Sequence, residues 1–354
     1  MTVTRGAGSW SRQTAPAVDG TTFIVLGTDQ NTGRFSYVSA LGRSALLIEP
    51  TRTNVVGPSK LTDTVPADGL PDGWAATAGV AAVDFATAAG SPTGGNKFRL
   101  LDTATAYRGG VFVMALAATT QYAMSVWVRR TAAGAAQLLG IETDPATYSG
   151  FTLQAVAHDW ARATQVATTV GAGGDVFLLT ANTDPAGIVE IACPQVEAGA
   201  YATSPILGDV SVTRAAELCA LNAGVVGATS GFLGFTFVPE YAQNTFSTIH
   251  TLFEWAPNWR LDYNGGTDTF DVVVNGTIRA TSAAQTFSAG AIFRLGVRYG
   301  AGGTVLTVDQ SGVGAAQYTN ATAWGSPALA PYLGSRAASA NCEGGYYADL
   351  LLAA

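Results

Sequence analysis

Short runs of alternating apolar and polar residues recur along this chain, and they constrain its fold more than any other feature. In Gln121–Arg130 (QYAMSVWVRR), the side chains of Tyr122, Met124, Val126 and Val128 fall on one face of an extended strand. Further runs of this kind are Val176–Thr180, Ile188–Cys193 and Gly231–Val238. The alanine-rich stretches lack the apolar spacing of an amphipathic helix. The pattern therefore predicts an all-β protein.

Turn signals between these runs indicate how the strands connect. Asn275-Gly276 lies between two β-rich runs in FDVVVNGTIRA, and both residues tolerate the positive φ of a type I′ hairpin turn. Gly300–Gly303 predicts a second hairpin that joins IFRLGVRYG to TVLTVDQSG. Strands of five to eight residues separated by such turns are typical of antiparallel sandwiches.

The length of 354 residues suits two domains better than one. We predict two antiparallel β-sandwich (jelly-roll) domains in tandem, preceded by a short N-terminal arm. The arm and its strand cover residues 1–55, the first sandwich residues 56–207 and the second residues 208–354.

Composition limits the classes of partner. Charged residues make up only 12% of the chain and the net charge is −7, whereas a nucleic-acid-binding surface needs a basic face. Few charges favour a surface packed against partners, and we expect a homo-oligomer. Three widely spaced cysteines fit no metal motif. With no signal peptide and no apolar run of about 20 residues, no export or membrane insertion is expected.

Catalytic signatures are scarce. His158 and His250 are the two histidines, and neither stands near a nucleophile motif such as GxSxG. Glycoside hydrolysis needs two carboxyl groups about 5–9 Å apart, and the sequence shows no such pair outside a turn. We therefore predict a protein that is not an enzyme.

The strongest candidate for ligand binding is an aromatic cluster in FEWAPNWRLDY. Trp255, Trp259 and Tyr263 lie close together there, and an exposed aromatic platform could stack on a sugar ring or pack on a partner protein. The alternative is that one or both tryptophans fill the sandwich core.

Three acids surround the glycine turn that follows this cluster. Asp262, Asp268 and Asp271 occur in LDYNGGTDTFD, where carboxylates and carbonyls could hold calcium. Solvated turn residues are the simpler interpretation. No other cofactor is indicated.

Two motifs far apart in the chain resemble one known module. LLIEPTRTNVV and QVEAGAYATSPI…VTRAAE are similar to the leading and closing segments of a carbohydrate-binding-module-like jelly roll found in structural proteins of tailed bacteriophages. The leading match consists of Leu46, Ile48, Glu49, Arg52, Thr53 and Asn54. The closing match consists of Gln195, Glu197, Ala198, Gly199, Ala202, Thr203, Ser204, Thr213, Arg214 and Ala215.

The C-terminal stretch has a second, shorter resemblance. Leu333-Gly334-Ser335 and Gly345-Tyr346 with Asp349 look like the last strands of a laminin-G or concanavalin-A-like sandwich. Together the two resemblances imply a virion protein made in the host cytoplasm, such as a tail-fibre or tail-tip protein that attaches to host-surface glycans. The resemblance to fibre proteins also implies that a trimer is the favoured oligomer. A capsid or tail decoration protein that binds other virion proteins is the alternative, and a depolymerase of host polysaccharide is a third reading.

The N-terminal arm adds one hypothesis about partners. Thr2–Gly20 is a low-complexity segment that contains Arg5 and Arg12, and in a virion protein it could dock on another virion protein. A frayed terminus is the alternative, as at most domain ends.

Overall fold

The structure is a computed structural model, and it consists of β-strands with one short 3₁₀ turn at Ser39–Leu41. It describes residues 23–24, 34–50, 52–57, 59–62, 64, 71–76, 85–92, 96–100, 110–132, 137–144, 147–153, 157–171, 175–179, 189–214, 219–220, 226–334 and 344–353. Arg5 and Arg12 lie outside the described residues, so the docking hypothesis for the arm stays a prediction. No helix in the described ranges is long and apolar enough to cross a bilayer.

The chain divides into two compact units. The insert unit is the continuous segment Arg52–Arg214, and the split unit combines Met1–Thr51 with Ala215–Ala354. The first unit is therefore inserted into the second, whereas the sequence predicted two sandwiches in tandem order with boundaries after residues 55 and 207.

The insert unit has two five-stranded antiparallel sheets, in the orders β11-β10-β13-β8-β5 and β12-β9-β14-β7-β6, and a two-stranded ribbon, β4-β15. Its strands are β4 (Arg52–Asn54), β5 (Ala75–Ala76), β6 (Phe85–Ala89), β7 (Asn96–Leu100), β8 (Gly110–Val113), β9 (Gln121–Arg130), β10 (Gln137–Asp144), β11 (Thr147–Leu153), β12 (His158–Thr168), β13 (Asp175–Leu179), β14 (Val189–Ala198) and β15 (Val212–Arg214). The four apolar positions predicted to share a face of β9 all lie in the unit's core.

The split unit has an eight-stranded sheet, β1-β2-β3-β26-β17-β22-β23-β24, and a six-stranded sheet, β16-β25-β18-β19-β20-β21. Its strands are β1 (Phe23–Ile24), β2 (Arg34–Val38), β3 (Arg43–Ile48), β16 (Cys219–Ala220), β17 (Gly231–Pro239), β18 (Ile249–Ala256), β19 (Trp259–Asn264), β20 (Thr269–Val274), β21 (Thr277–Thr281), β22 (Phe293–Gly300), β23 (Gly303–Gln310), β24 (Gly314–Asn320), β25 (Tyr332–Leu333) and β26 (Gly345–Ala353).

The predicted fold class and both predicted hairpins are confirmed. Asn275 and Gly276 have φ values of 51° and 76° between β20 and β21, as a type I′ turn requires. Gly300 and Gly303 close the β22–β23 hairpin.

Strand pairing explains why the domain boundaries differ from the predicted ones. β3 pairs with the C-terminal strand β26, with Leu46 opposite Tyr347 and Ile48 opposite Gly345. Residues 34–48 are therefore strands of the split unit and no part of an arm. At the other boundary β15 pairs with β4, so that residues 208–214 belong to the insert unit.

The leading and closing motifs meet where the insert unit begins and ends, and we call this region the joint. Asn54, which is 1% exposed, donates to the carbonyls of Pro194 and Ile206 at 3.2 and 3.0 Å. Its Oδ1 accepts from the amides of Val56 and Val196, both at 3.0 Å. All four hydrogen-bonding positions of the amide are thus used.

Two buried side chains of β14, Gln195 and Glu197, bind the segment that follows this strand. Gln195 accepts from the amide of Ile206 at 2.6 Å and donates to the Thr203 carbonyl at 3.2 Å. Glu197 accepts from the amide and hydroxyl of Thr203 at 2.8 and 2.5 Å. Gln195 and Glu197 are two residues apart, so their side chains lie on the same face of the strand. This spacing lets both of them bind the segment that follows β14.

Gly199 makes the turn between β14 and this crossing segment. Its φ of +145° is rare for other residues, and a Cβ there would lie 2.8 Å from Nη2 of Arg52. Arg52 in turn stacks on the ring of Tyr201, 5.3 Å from its centroid. The motif residues are therefore structural parts of the joint.

Candidate functional site

The predicted aromatic platform is largely part of the core of the split unit. Trp255 and Tyr263 are 0% and 1% exposed. The Trp255 ring packs edge-on against Trp324 at a centroid distance of 5.1 Å, and Tyr263 packs against Phe270 at 5.6 Å. These two side chains offer no surface to a ligand, so the prediction of an exposed platform is wrong for them and the core alternative holds.

Trp259, the third predicted residue, is half-buried. Its Nε1 donates weakly to the carbonyl of Trp324 at 3.4 Å, so that one edge is fixed against the protein. A ligand contact at Trp259 alone stays a prediction.

The three acids near the glycine turn are held by protein donors. Asp262 accepts from Thr251 Oγ1 at 2.8 Å and pairs with Arg260 Nε at 2.5 Å. Asp271, opposite Asp262 on the neighbouring strand, accepts from Thr269 Oγ1 at 3.2 Å.

Asp268 accepts from the Tyr263 hydroxyl at 2.5 Å and from the Asn244 amide at 3.0 Å. Within the described ranges there is no group of three or more His, Cys, Asp or Glu side chains that could hold a metal ion. The acids thus fix the turn and the sheet edge through hydrogen bonds.

An exposed aromatic surface occurs instead on the outer face of the eight-stranded sheet. Along β17, Leu233, Phe235 and Phe237 are buried in the core, so Phe232 and Gly234 lie on the other face of the sheet, where Thr236 and Val238 are buried as well. Phe232 is 38% exposed and Leu351 is 62% exposed. Gly234 has two cross-strand partners, Gly296 on β22 and Leu351 on β26. Leu351 therefore places an apolar side chain next to Gly234 on the β26 side.

Two paired glycines let the Phe232 ring lie down on the sheet. Gly234 and Gly296 are cross-strand partners, and a Cβ on Gly234 would come 2.8 Å from Phe232 Cε1. A Cβ on Gly296 would lie 3.5 Å from Phe232 Cε2. We call Phe232, Gly234, Gly296 and Leu351 the Phe232 platform.

Polar side chains surround the Phe232 platform in the neighbouring cross-strand rows. Arg298 is the partner of Phe232, and Thr307 is the partner of Gly296. Arg294 pairs with Asp309 across β22 and β23 at 3.2 Å.

A bulge in β26 adds an acid to this rim. Asp349 has a φ of 55° where the β17–β26 register shifts. It accepts from Thr236 Oγ1 at 2.8 Å and pairs with Arg43. The platform is therefore apolar at its centre and bordered by hydrogen-bonding groups, as small-molecule sites commonly are.

Arg298 differs from the other two arginines of this rim. Its side chain is exposed, and its cross-strand neighbours are Phe232 and Val305, with no acid opposite it. Arg43 and Arg294 each pair with an aspartate. Among the described residues, the guanidinium of Arg298 makes no hydrogen bond or ion pair, so it can bind a ligand.

Sequence reasoning missed this site because it gave weight to the clustered tryptophans. Gly231–Val238 (GFLGFTFV) reads simply as a strand, and the glycine that completes the platform lies on another strand, in FRLGVRYG. A signal was present in the spacing Phe-x-Gly, since a glycine two residues from an aromatic leaves room on the same face of a strand.

The insert unit carries a second charged cluster, in which one acid and two basic side chains pair with one another. Glu190 is 2% exposed and binds Lys97 Nζ at 2.8 Å and Arg129 Nε at 2.7 Å. The Arg129 guanidinium lies 5.2 Å from the ring centroid of Trp160. Burial raises the pKa of Glu190, but the hydrogen bonds and charges of Lys97 and Arg129 outweigh it and hold the pKa below its usual range. This cluster stabilises the sheet and leaves no group free for a ligand.

Comparisons with known proteins add little to this geometry. No protein-family model matches the chain, and no curated protein matches it. A solved structure similar to the chain is the N-terminal CBM22-1–CBM22-2 tandem domain of Xyn10C from Paenibacillus barcinonensis. It is 11% identical with a TM-score of 0.31, and the match covers 85% of this chain and 97% of that one. Functional conclusions have to come from the chain's own geometry.

Proposed function

We propose that this chain is a non-enzymatic structural protein of a bacteriophage virion, of the tail-fibre or tail-tip type, that presents β-sandwiches for attachment to host-surface glycans. The Phe232 platform is the observation that carries the attachment part. A partly exposed aromatic ring packed over two glycines, with an exposed leucine in the neighbouring row, offers the apolar surface on which a sugar ring packs. The polar rim supplies partners for the sugar hydroxyl groups.

The virion part of the proposal is supported by the motifs that resemble tailed-phage structural proteins. Their residues form the joint, where Thr53 and Thr213 share a hydrogen bond of 2.8 Å across β4 and β15. The two ends of the insert unit are therefore paired side by side. Location in the virion is tested by labelling purified phage particles with antibodies against this chain. Particles that bind no antibody would contradict the virion part of the proposal.

Glycan binding is tested with the full-length chain on an array of bacterial surface polysaccharides. We expect binding that falls by about two- to tenfold in Phe232→Ala, since a stacked ring contributes about 0.5–1.5 kcal/mol. Ile278→Ala removes another exposed apolar side chain, 51% exposed, and serves as the control. Equal binding by Phe232→Ala and the unaltered chain would rule out the platform as the site.

A decoration protein that binds other virion proteins is the second candidate, and the edge strand β24 favours it. Residues 314–320 (GAAQYTN) carry no charge and are largely exposed. In the described part of the chain, their backbone bonds to β23 alone. Natural edge strands usually carry charges, prolines or bulges that block further pairing.

The predicted homo-oligomer would use such an edge. Analytical ultracentrifugation of the full chain measures its state, and Ala316→Lys is expected to weaken self-association if β24 takes part. Release of reducing ends from host polysaccharide would instead indicate the depolymerase reading.

A further inference from the structure

We propose that the Phe232 platform binds an acidic saccharide, a sugar ring that carries a carboxylate, with Arg298 as the group that recognises the acid. This inference rests on the proposed glycan attachment and names the ligand class of that same site. Its basis is the pairing of Arg298 with Phe232 on adjacent strands.

Geometry puts the guanidinium and the ring within reach of one sugar residue. Directly opposite residues of an antiparallel pair have Cβ atoms about 4.5–5.5 Å apart. A pyranose ring packed on Phe232 would therefore place a substituent of its ring beside Arg298. A uronic acid carries its carboxylate on a ring carbon in this way, whereas a neutral hexose has a hydroxymethyl group there.

Charge on this face favours an anion. Among the described residues of the platform's rim, Arg43, Arg294 and Arg298 stand against Asp309 and Asp349, so the rim has one positive charge in excess within a chain of net charge −7. Because the two aspartates are already paired, Arg298 carries the excess. A planar guanidinium binds a carboxylate through two parallel hydrogen bonds, and such charge-assisted bonds are stronger than those to neutral hydroxyls.

Polar groups on the other side of the platform suit the neutral part of the sugar. Thr307 lies opposite Gly296, and Gln317 lies opposite Thr307 on β24. Gln317 is exposed and Thr307 half-exposed. A hydroxyl and an amide both donate and accept, so they match sugar hydroxyl groups, while the acid is matched at Arg298.

The test compares an oligouronate with its carboxyl-reduced, neutral counterpart, using calorimetry on the full-length chain. We expect the unaltered chain to bind the oligouronate about tenfold more tightly, because a hydrogen bond to a charged group is stronger than one to a neutral hydroxyl. Arg298→Gln should remove this difference, and it should weaken binding of the neutral oligosaccharide much less than binding of the oligouronate. Arg298→Lys, which keeps the charge and loses the planar fork, should give an intermediate affinity.

Two controls separate this inference from the proposed function. Lys60→Gln makes the same change in net charge in the other unit, at an exposed lysine paired with Asp209, and is expected to leave the preference intact. Phe232→Ala should weaken binding of both oligosaccharides.

Equal binding of the two oligosaccharides by the unaltered chain, or an unchanged preference in Arg298→Gln, would overturn the acidic-saccharide inference alone. Binding of neither oligosaccharide, in a chain whose thermal unfolding is normal, would contradict the inference and count against the proposed attachment as well.

Discussion

The two units of this protein close their folds in different ways. The insert unit is one continuous segment whose ends are joined by a buried polar network around Asn54 and Gln195. The split unit is assembled from two distant segments, and its closure depends on strand pairing between β3 and β26 over a core rich in aromatic side chains. Both contacts join positions far apart in the sequence, but the insert unit is closed by buried polar side chains, whereas the split unit is closed by paired apolar strands.

This difference predicts opposite outcomes when the units are expressed alone. Arg52–Arg214 contains both strands of its joint and is expected to fold. Residues 208–354 lack β3, whose Leu46, Leu47 and Ile48 are 9%, 3% and 1% exposed. Burying such a side chain contributes about 1.5–3 kcal/mol, and losing three approaches a domain's whole stability of about 5–15 kcal/mol. Dispersion of amide resonances measures each outcome.

A matched deletion sharpens this test. Arg52 and Arg214 are antiparallel partners, so their Cα atoms lie about 4.5–5.5 Å apart. A short glycine linker from Thr51 to Ala215 should therefore replace the insert unit and leave the split unit folded. Cooperative unfolding of 208–354 by itself would show that β3 is dispensable and break the comparison.

Trp255→Ala probes the aromatic core of the split unit. The side chain is 0% exposed and contacts the rings of Phe253, Tyr299 and Trp324. Its removal is expected to destabilise this unit by about 3–5 kcal/mol. Differential scanning calorimetry should show one transition lowered and that of the insert unit unchanged. The control Phe232→Ala, at a partly exposed residue, should change stability by less than about 1 kcal/mol.

Asn54→Ala probes the polar closure of the insert unit. It leaves the amides of Val56 and Val196 and two carbonyls without their side-chain partner. Since each unsatisfied buried group costs about 1–3 kcal/mol, the two amides alone lead us to expect a loss of at least about 2 kcal/mol.

Asn320→Ala is the matched control, because this half-buried asparagine makes a single local hydrogen bond to the amide of Thr322. Calorimetry should show the loss from Asn54→Ala in the insert unit's transition alone. A loss no larger than that of the control would mean that the joint is closed by other contacts.

Sequence reasoning succeeded where the determining contacts are local. Asn275-Gly276 predicts its hairpin because the two residues themselves tolerate positive φ. The alternation in β9 predicts its core face for the same reason. The pairing of Leu46 with Tyr347 joins positions 301 residues apart, which no local pattern reports.

The candidate site failed to emerge from the sequence for a related reason. Alternation shows which residues share a face of a strand, but not which face another layer covers. Trp255 and Phe232 both lie in alternating strands, and one is buried while the other is 38% exposed. The space for the Phe232 ring also depends on Gly296, which comes from another strand.

The smallest expected effect concerns the ion cluster of the insert unit and its pH dependence. Burial raises the pKa of Glu190, but the hydrogen bonds and charges of Lys97 and Arg129 outweigh it and hold the pKa below its usual range. A carboxyl group with a lowered pKa in the folded state stabilises it at pH values above the unfolded-state pKa, and this contribution disappears as pH falls through the folded-state pKa. The insert unit's transition should therefore lose this contribution only below about pH 4.5.

Glu190→Gln is expected to lower the stability of the insert unit by about 1–2 kcal/mol at pH 7, because both cations keep part of their solvation, with side chains 20% and 30% exposed. The loss should shrink below pH 4, where the unaltered chain also begins to lose the charge. Asp209→Asn, which alters the exposed pair with Lys60, provides the comparison and should change the melting curve less. Thermal unfolding of these variants between pH 3 and 8 measures the loss of stability at each pH. A Glu190→Gln loss that stays constant over that range would show that the charge of Glu190 does not stabilise the sheet.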